Sequence, residues 1–162
     1  MTNALVATNK DCPNAGGALA LVGAAGILRG VQRLLAAYGL ESIAEMVLAN
    51  GRRADAFAIA ASGEIWIVEI KSSIADFRGD QKWPEHRDDC DAMLFAVALD
   101  FPASFLPTDV GLIFADAYGG EIIRQAPAHP LTTARRKSLI LSFATTAARG
   151  LHALRYPPEP MI

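Results

Sequence analysis

Residues 53–71 constrain the fold more tightly than any other stretch. Two apolar runs, 53–60 and 64–71, flank the short segment Ala61-Ser62-Gly63. β-type runs joined this closely make a hairpin, and a glycine closing a three-residue loop takes the left-handed conformation that such loops require. In that register Asp55 lies opposite Glu69 and Arg53 opposite Lys71, on one face, with Cβ atoms about 5 Å apart. A two-residue loop would shift the pairing by one and turn Asp55 to the other face. The three-residue loop is the expected one. Glu69 and Lys71 are two positions apart and so share a strand face. Their neighbours Ile65, Trp66, Ile67, Val68 and Ile70 are of buried type, which gives the strand no reason of its own to carry two charges. Charges in such a setting are paired, metal-bound or catalytic.

The same device occurs one hairpin earlier. Runs at 42–48 and 53–59 flank Ala49-Asn50-Gly51, which sets Glu45 opposite Asp55. Glu45, Asp55 and Glu69 would then form a carboxylate row across a three-stranded meander, with Lys71 beside them. Like charges this close repel unless a cation lies between them. A row of acidic oxygens suits a hard divalent ion such as Mg²⁺, not zinc. Glu41, at the helix–strand corner, is the alternative to Glu45.

The rest of the chain reads as one α/β domain over residues 16–156, between a loose tail at 1–15 and an extended tail at 157–162. Ile27, Val31, Leu34 and Leu35 repeat at helical spacing, with Arg29, Gln32 and Arg33 opposite, and Gly39 ends that helix. Ser73-Ile-Ala-Asp76 starts a helix expected to reach about residue 82, with Ser72 and Ser73 as caps. Pro84 opens a second short helix. Strands follow at 93–99, 110–115 and 121–124, the last two joined through Tyr118-Gly-Gly, and a helix at 132–154 closes the domain. Asp76 and Asp80 share a helix face and, with Lys82, border the cleft or are simply solvated. Trp66 and Trp83 read as packing residues.

A chain of 162 residues, 52% hydrophobic and 20% charged, is built to fold. Its apolar stretch Ala18–Leu28 runs only eleven residues before Arg29, short of the ~20 that a membrane span needs. It also lacks the basic start of a signal peptide, which makes the cytoplasm the expected location. Cys12 and Cys90 are too few for a disulfide framework, and His86, His129 and His152 are scattered without a triad or zinc context. No P-loop is present.

Charge informs by its distribution. The net formal charge is −2, whereas residues 121–162 carry six Lys or Arg against two acids. Arg52, Arg53, Lys82, Arg135, Arg136 and Lys137 are the candidates for phosphate contact. The competing reading of Arg135–Lys137 is a solvated helix face.

Asp55, a hairpin and then Glu69-Ile70-Lys71 resemble the PD-(D/E)xK nuclease signature, although Ala54 stands where that pattern has proline. Gly51-Arg-Arg-Ala-Asp-Ala, Ile65-Trp-Ile-Val-Glu-Ile-Lys-Ser-Ser, Asp76-Phe-Arg-Gly-Asp-Gln-Lys-Trp-Pro and Gly111-Leu-Ile-Phe-Ala-Asp-Ala-Tyr-Gly are similar to MmcB-like DNA-repair proteins over roughly residues 20–155. This resemblance implies a restriction-endonuclease-like mixed sheet, with core order helix, three-stranded antiparallel meander, helix, strand. It implies that Asp55, Glu69 and the Ile70 carbonyl hold Mg²⁺ (or Mn²⁺), that Lys71 orients the attacking water, and that Glu45 assists. The implied activity is a metal-dependent DNA endonuclease in repair, with DNA and other repair proteins as partners and a homodimer left open. The alternative is a catalytically silent DNA- or protein-binding module of a repair complex. The intact Asp55–Glu69–Lys71 set favours the enzyme.

Overall fold

The computed structural model describes residues 23–157. The tail expected at 1–15, residues 16–22 of the expected domain and the end of the C-terminal tail lie outside that range. Three α-helices and six strands follow in the order α1 (Ala24–Ala37), β1 (Leu40–Val47), β2 (Arg53–Ala60), β3 (Ile65–Lys71), α2 (Ile74–Gly79), β4 (Ala92–Val97), β5 (Gly111–Ala115), β6 (Gly120–Arg124) and α3 (Thr133–Arg155). A 3-10 helix, Trp83–Asp89, stands between α2 and β4, with Pro84 in its first turn. The expected order of helix, meander, helix and strand is the order observed. A short 3-10 turn at Ala103–Phe105 adds to the expected elements.

The six strands form one sheet in sequence order. β1, β2 and β3 are an antiparallel meander, β3, β4 and β5 run parallel, and β6 returns antiparallel to β5. Both meander loops have the expected three-residue form, with Gly51 at φ 78° and Gly63 at φ 83°. Ala60 N–H donates to the Glu64 carbonyl at 2.9 Å and Gly63 N–H to the Ala60 carbonyl at 2.8 Å, which closes the second loop. Pairing of Ala56 with Val68 and Phe57 with Ile67 fixes the register that sets Asp55 opposite Glu69.

β4 is buried along its whole length, as a parallel strand covered on both faces must be. One face is covered by α1, whose Ile27, Val31, Leu34 and Leu35 pack on Ala56, Ala58, Val68, Leu94 and Ala96. The small strand residues let the helix sit close. Gly30 is required there, since a Cβ would stand 2.0 Å from the Asp116 carbonyl oxygen and 2.4 Å from that of Gly119. The other face carries Phe57, Ile67, Phe95 and Val97 beneath α2, the 3-10 helix and the first turns of α3. Trp83 and Phe77 meet the Phe95 ring edge-on at centroid distances of 5.1 and 5.6 Å, and Phe143 of α3 lies 6.0 Å from Phe57. Both tryptophans pack as expected. Among the described residues no helix is long and apolar enough to cross a membrane.

Candidate active site

The paired ladder of β2 and β3 ends at Ala56 and Val68, and the next residues along use side chains in its place. Asp55 Oδ2 accepts from Ile70 N–H at 2.8 Å, and Asp55 N–H donates to Glu69 Oε1 at 3.4 Å. The two carboxylates expected on one face are therefore brought together, and Lys71 joins them with Nζ 3.8 Å from Glu69 Oε2. In an extended strand the N–H and C=O of one residue leave on the same edge. The Ile70 carbonyl is therefore directed to the edge where Asp55 holds its N–H.

The cluster is strongly desolvated. Glu69 and Lys71 are 4% and 3% exposed, while Asp55 is half-buried. Burial, reinforced by the Asp55 charge, raises Glu69 from its ordinary 4.5 to about 8, with Lys71 opposing the rise. Such a carboxyl becomes an anion readily only when a cation is at hand.

Two further residues complete the surroundings, both from the β3–β4 crossover. Asp80 Oδ2 accepts from Lys71 Nζ at 2.6 Å, and its Oδ1 accepts from Lys82 N–H at 3.0 Å. Burial alone would raise the Asp80 carboxyl, but the bond from Lys71 and the backbone N–H groups outweigh it and hold it below the ordinary range. His86 places Nε2 3.3 Å from Glu69 Oε1, and burial lowers its pKa. Sequence reasoning offers Asp80 as an acid that borders the cleft or is simply solvated, and leaves His86 among the scattered histidines. Helix α2 stops at Gly79 rather than running to 82, which takes Asp80 off the helix and turns it to Lys71. Asp76 instead caps the start of that helix with Ser72 and Ser73, as the sequence indicates.

Glu45 does not join the row. Its φ of 53° places it in the left-handed region, where alternation along the strand breaks. Ile43 before it and Met46 and Leu48 after it all pack in the cluster around Phe57, so the side-chain parity changes at Glu45. Its carboxylate is 62% exposed and lies 3.6 Å from Arg53. Glu41 is exposed as well. The expected three-carboxylate row reduces to Asp55 and Glu69.

The proposed phosphate contacts divide in the same way. Arg135 and Arg136 are each engaged by an acid rather than simply solvated. Arg136 forms a bidentate pair with Asp91 at 2.6 and 2.7 Å and also donates to the Gly63 carbonyl. Arg135 Nε donates to the fully buried Asp89 at 2.7 Å. Asp91 also accepts from Ile65 N–H at 2.8 Å and Leu131 N–H at 3.1 Å. These two acids thus fasten the start of α3 to the crossover and to β3. Arg52 is bidentate to Glu85 at 2.8 and 3.1 Å. Arg53, Lys82 and Lys137 are the exposed members of the predicted set.

Among the described residues no group of three or more His, Cys, Asp or Glu is arranged as a metal cage. A hard octahedral ion asks for less than a cage, since Mg²⁺ keeps several waters and is held by one or two carboxylates plus phosphate oxygens. Asp55, Glu69 and the Ile70 carbonyl supply oxygen donors of that kind, and Glu69, raised chiefly by burial and further by the Asp55 charge, is a carboxyl that a bound cation would favour as the anion. The donor set fits such an ion.

Comparison with known proteins agrees with this architecture. A solved structure of a protein of unknown function from Silicibacter pomeroyi is 48% identical, with a TM-score of 0.82 over 89% of this chain and 99% of that one. No curated protein matches. The family model for MmcB-like DNA repair proteins matches residues 14–158. The chain belongs to the MmcB-like DNA repair protein family.

Proposed function

We propose that the protein is a metal-dependent DNA endonuclease acting in repair, hydrolysing a phosphodiester at the Asp55–Glu69–Lys71 cluster. The observation that carries this reading is the meeting of two carboxylates and a buried lysine on one face, where the β2–β3 ladder ends. The same three residues are the ones that resemble the PD-(D/E)xK signature.

Asp55, Glu69 and the Ile70 carbonyl would hold Mg²⁺ or Mn²⁺. When bound, the ion supplies Lewis acidity toward phosphate oxygen and a water of lowered pKa. Lys71 lies on the Glu69 side of the cluster, where its ammonium can hold the attacking water and counter charge building on phosphorus oxygens. For that it exchanges its Asp80 contact for water or phosphate. The Phe95 ring, its centroid 5.9 Å from Lys71 Nζ and Trp83 packed edge-on against it, lies on the apolar side of the cluster. Arg53 and Lys82 are exposed cations available to the DNA backbone.

One observation favours the silent binding module. Lys71 is tied to Asp80 at 2.6 Å, and neither it nor Glu69 is open to bulk solvent. A single experiment separates the two readings. Nicked, gapped, flapped and mismatched duplexes are incubated with the purified protein in Mg²⁺ or Mn²⁺, beside a Lys71→Ala control. Cleavage by wild type that the control lacks supports the nuclease. Equal products from both proteins would overturn it, and retained DNA binding without cleavage by either would establish the module.

A further inference from the structure

We infer that His86 is a positioning residue for Glu69, holding one carboxylate oxygen in place so that the other is presented to the metal and to Lys71. This rests on the nuclease reading.

The two oxygens of Glu69 have different surroundings. Oε1 lies 3.3 Å from His86 Nε2 and 3.4 Å from Asp55 N–H, whereas Oε2 faces Lys71 at 3.8 Å. The imidazole is buried, with Nδ1 lacking any hydrogen-bond partner. That orphan favours one tautomer. A buried unpaired N–H costs more than an under-satisfied acceptor, so the proton is assigned to Nε2, the nitrogen 3.3 Å from Glu69 Oε1. The ring's own segment is held on three sides. Glu85 is bound to Arg52, Asp89 to Arg135, and Trp83 packs edge-on against Phe95. A histidine serving only to fill the core would not need a ring nitrogen beside Glu69, the one buried glutamate among the described residues.

Hydrogen-bonded partners of metal-ligating groups typically change metal affinity or activity by about 10- to 100-fold when removed. Mn²⁺ binding to the full-length protein is therefore measured by titration calorimetry for wild type, His86→Ala and His86→Gln, with Asp55→Asn as the ligand control. The expected result is Mn²⁺ affinity reduced about 10- to 100-fold in His86→Ala and largely recovered in His86→Gln, whose amide N–H reaches toward the Nε2 position. Nitrogen NMR of the wild-type imidazole with Mg²⁺ should place the proton on Nε2, a test that needs no variant to fold. If wild type binds Mn²⁺ and folded His86→Ala binds it equally well, the inference alone fails. A proton on Nδ1, or a folded His86→Gln no better than the alanine, overturns it too. Wild type that neither binds Mn²⁺ nor cleaves DNA would instead remove the nuclease reading beneath it.

Discussion

Replacing Glu69 with glutamine tests the desolvated cluster directly. Between the ordinary glutamate value of 4.5 and about 8, the native chain keeps a proton on Glu69 that the unfolded chain has released. Where the native state binds more protons, stability falls as pH rises. Relative to an unionisable side chain, wild type thus loses nothing below about pH 4.5 and loses progressively more up to about pH 8. That gap of about 3.5 pH units, at about 1.36 kcal/mol per unit, is worth on the order of 5 kcal/mol. For a domain of this size each kcal/mol moves Tm by about 2–4 °C, so the full effect is about 10–20 °C. The glutamine side chain keeps an acceptor for Asp55 N–H and cannot ionise. The pull of Lys71 on the anion is already contained in the value of about 8, and below that pH the native Glu69 is neutral, so the substitution removes little attraction for Lys71. Thermal unfolding of both proteins in EDTA, from pH 5 to 8.5, should show the Glu69→Gln variant gaining steadily on wild type. Adding Mg²⁺ should restore wild type by about 2.7 kcal/mol at a hundredfold excess over Kd and leave the variant unmoved. Two curves that stay parallel across the range would show that Glu69 ionises as an ordinary surface acid, and a cation-seeking site would lose its basis.

Three other outcomes follow from the geometry. Asp91→Asn should cost about 2–4 kcal/mol, because it leaves the partly buried Arg136 guanidinium without its carboxylate; chemical denaturation measures this. Arg53→Ala with Lys82→Ala should flatten the salt dependence of DNA binding by about one unit of slope per cation lost, read from binding isotherms at several salt concentrations, while Arg136→Ala should lower Tm with the slope unchanged. Asp55→Asn should reduce cleavage by orders of magnitude while metal-free DNA affinity stays level or rises; single-turnover assays and anisotropy separate the two effects.

How legible the sequence is depends on how far apart the interacting residues stand. Asp55, Glu69 and Lys71 are readable because one glycine-closed loop fixes the hairpin, and strand alternation then decides which side chains share a face. The adjoining hairpin obeys the same register, with Ala44 opposite Ala56 and Met46 opposite Ala54. Glu45 nevertheless leaves the row, because register says which residues oppose each other and not what φ each adopts. A positive φ in a non-glycine residue has no signature in spacing. Arg135 and Arg136 escape the sequence reading for a different reason. Their partners Asp89 and Asp91 lie more than forty residues earlier, and a run of three basic residues looks alike whether solvated, bound to phosphate or clamped by buried acids.

Topology explains why the missing members had to come from where they did. β3 is one of the two strands at which the sheet changes sense, antiparallel to β2 on one side and parallel to β4 on the other. A hairpin brings the start of β2 beside the end of β3, which is how Asp55 reaches Glu69 and Lys71 within one local unit. A parallel partner for β3 requires a crossover, and the chain must leave over that same end of the strand to make it. The crossover here spans α2 and the 3-10 helix. Its first residue after α2, Asp80, meets Lys71, and His86 of the 3-10 helix stands against Glu69. Shortening or straightening this connection would therefore change the chemistry of the site while leaving every Asp55, Glu69 and Lys71 position intact. If the proposed function holds, the hairpin supplies the reacting groups, and the crossover sets their surroundings through Asp80 and His86.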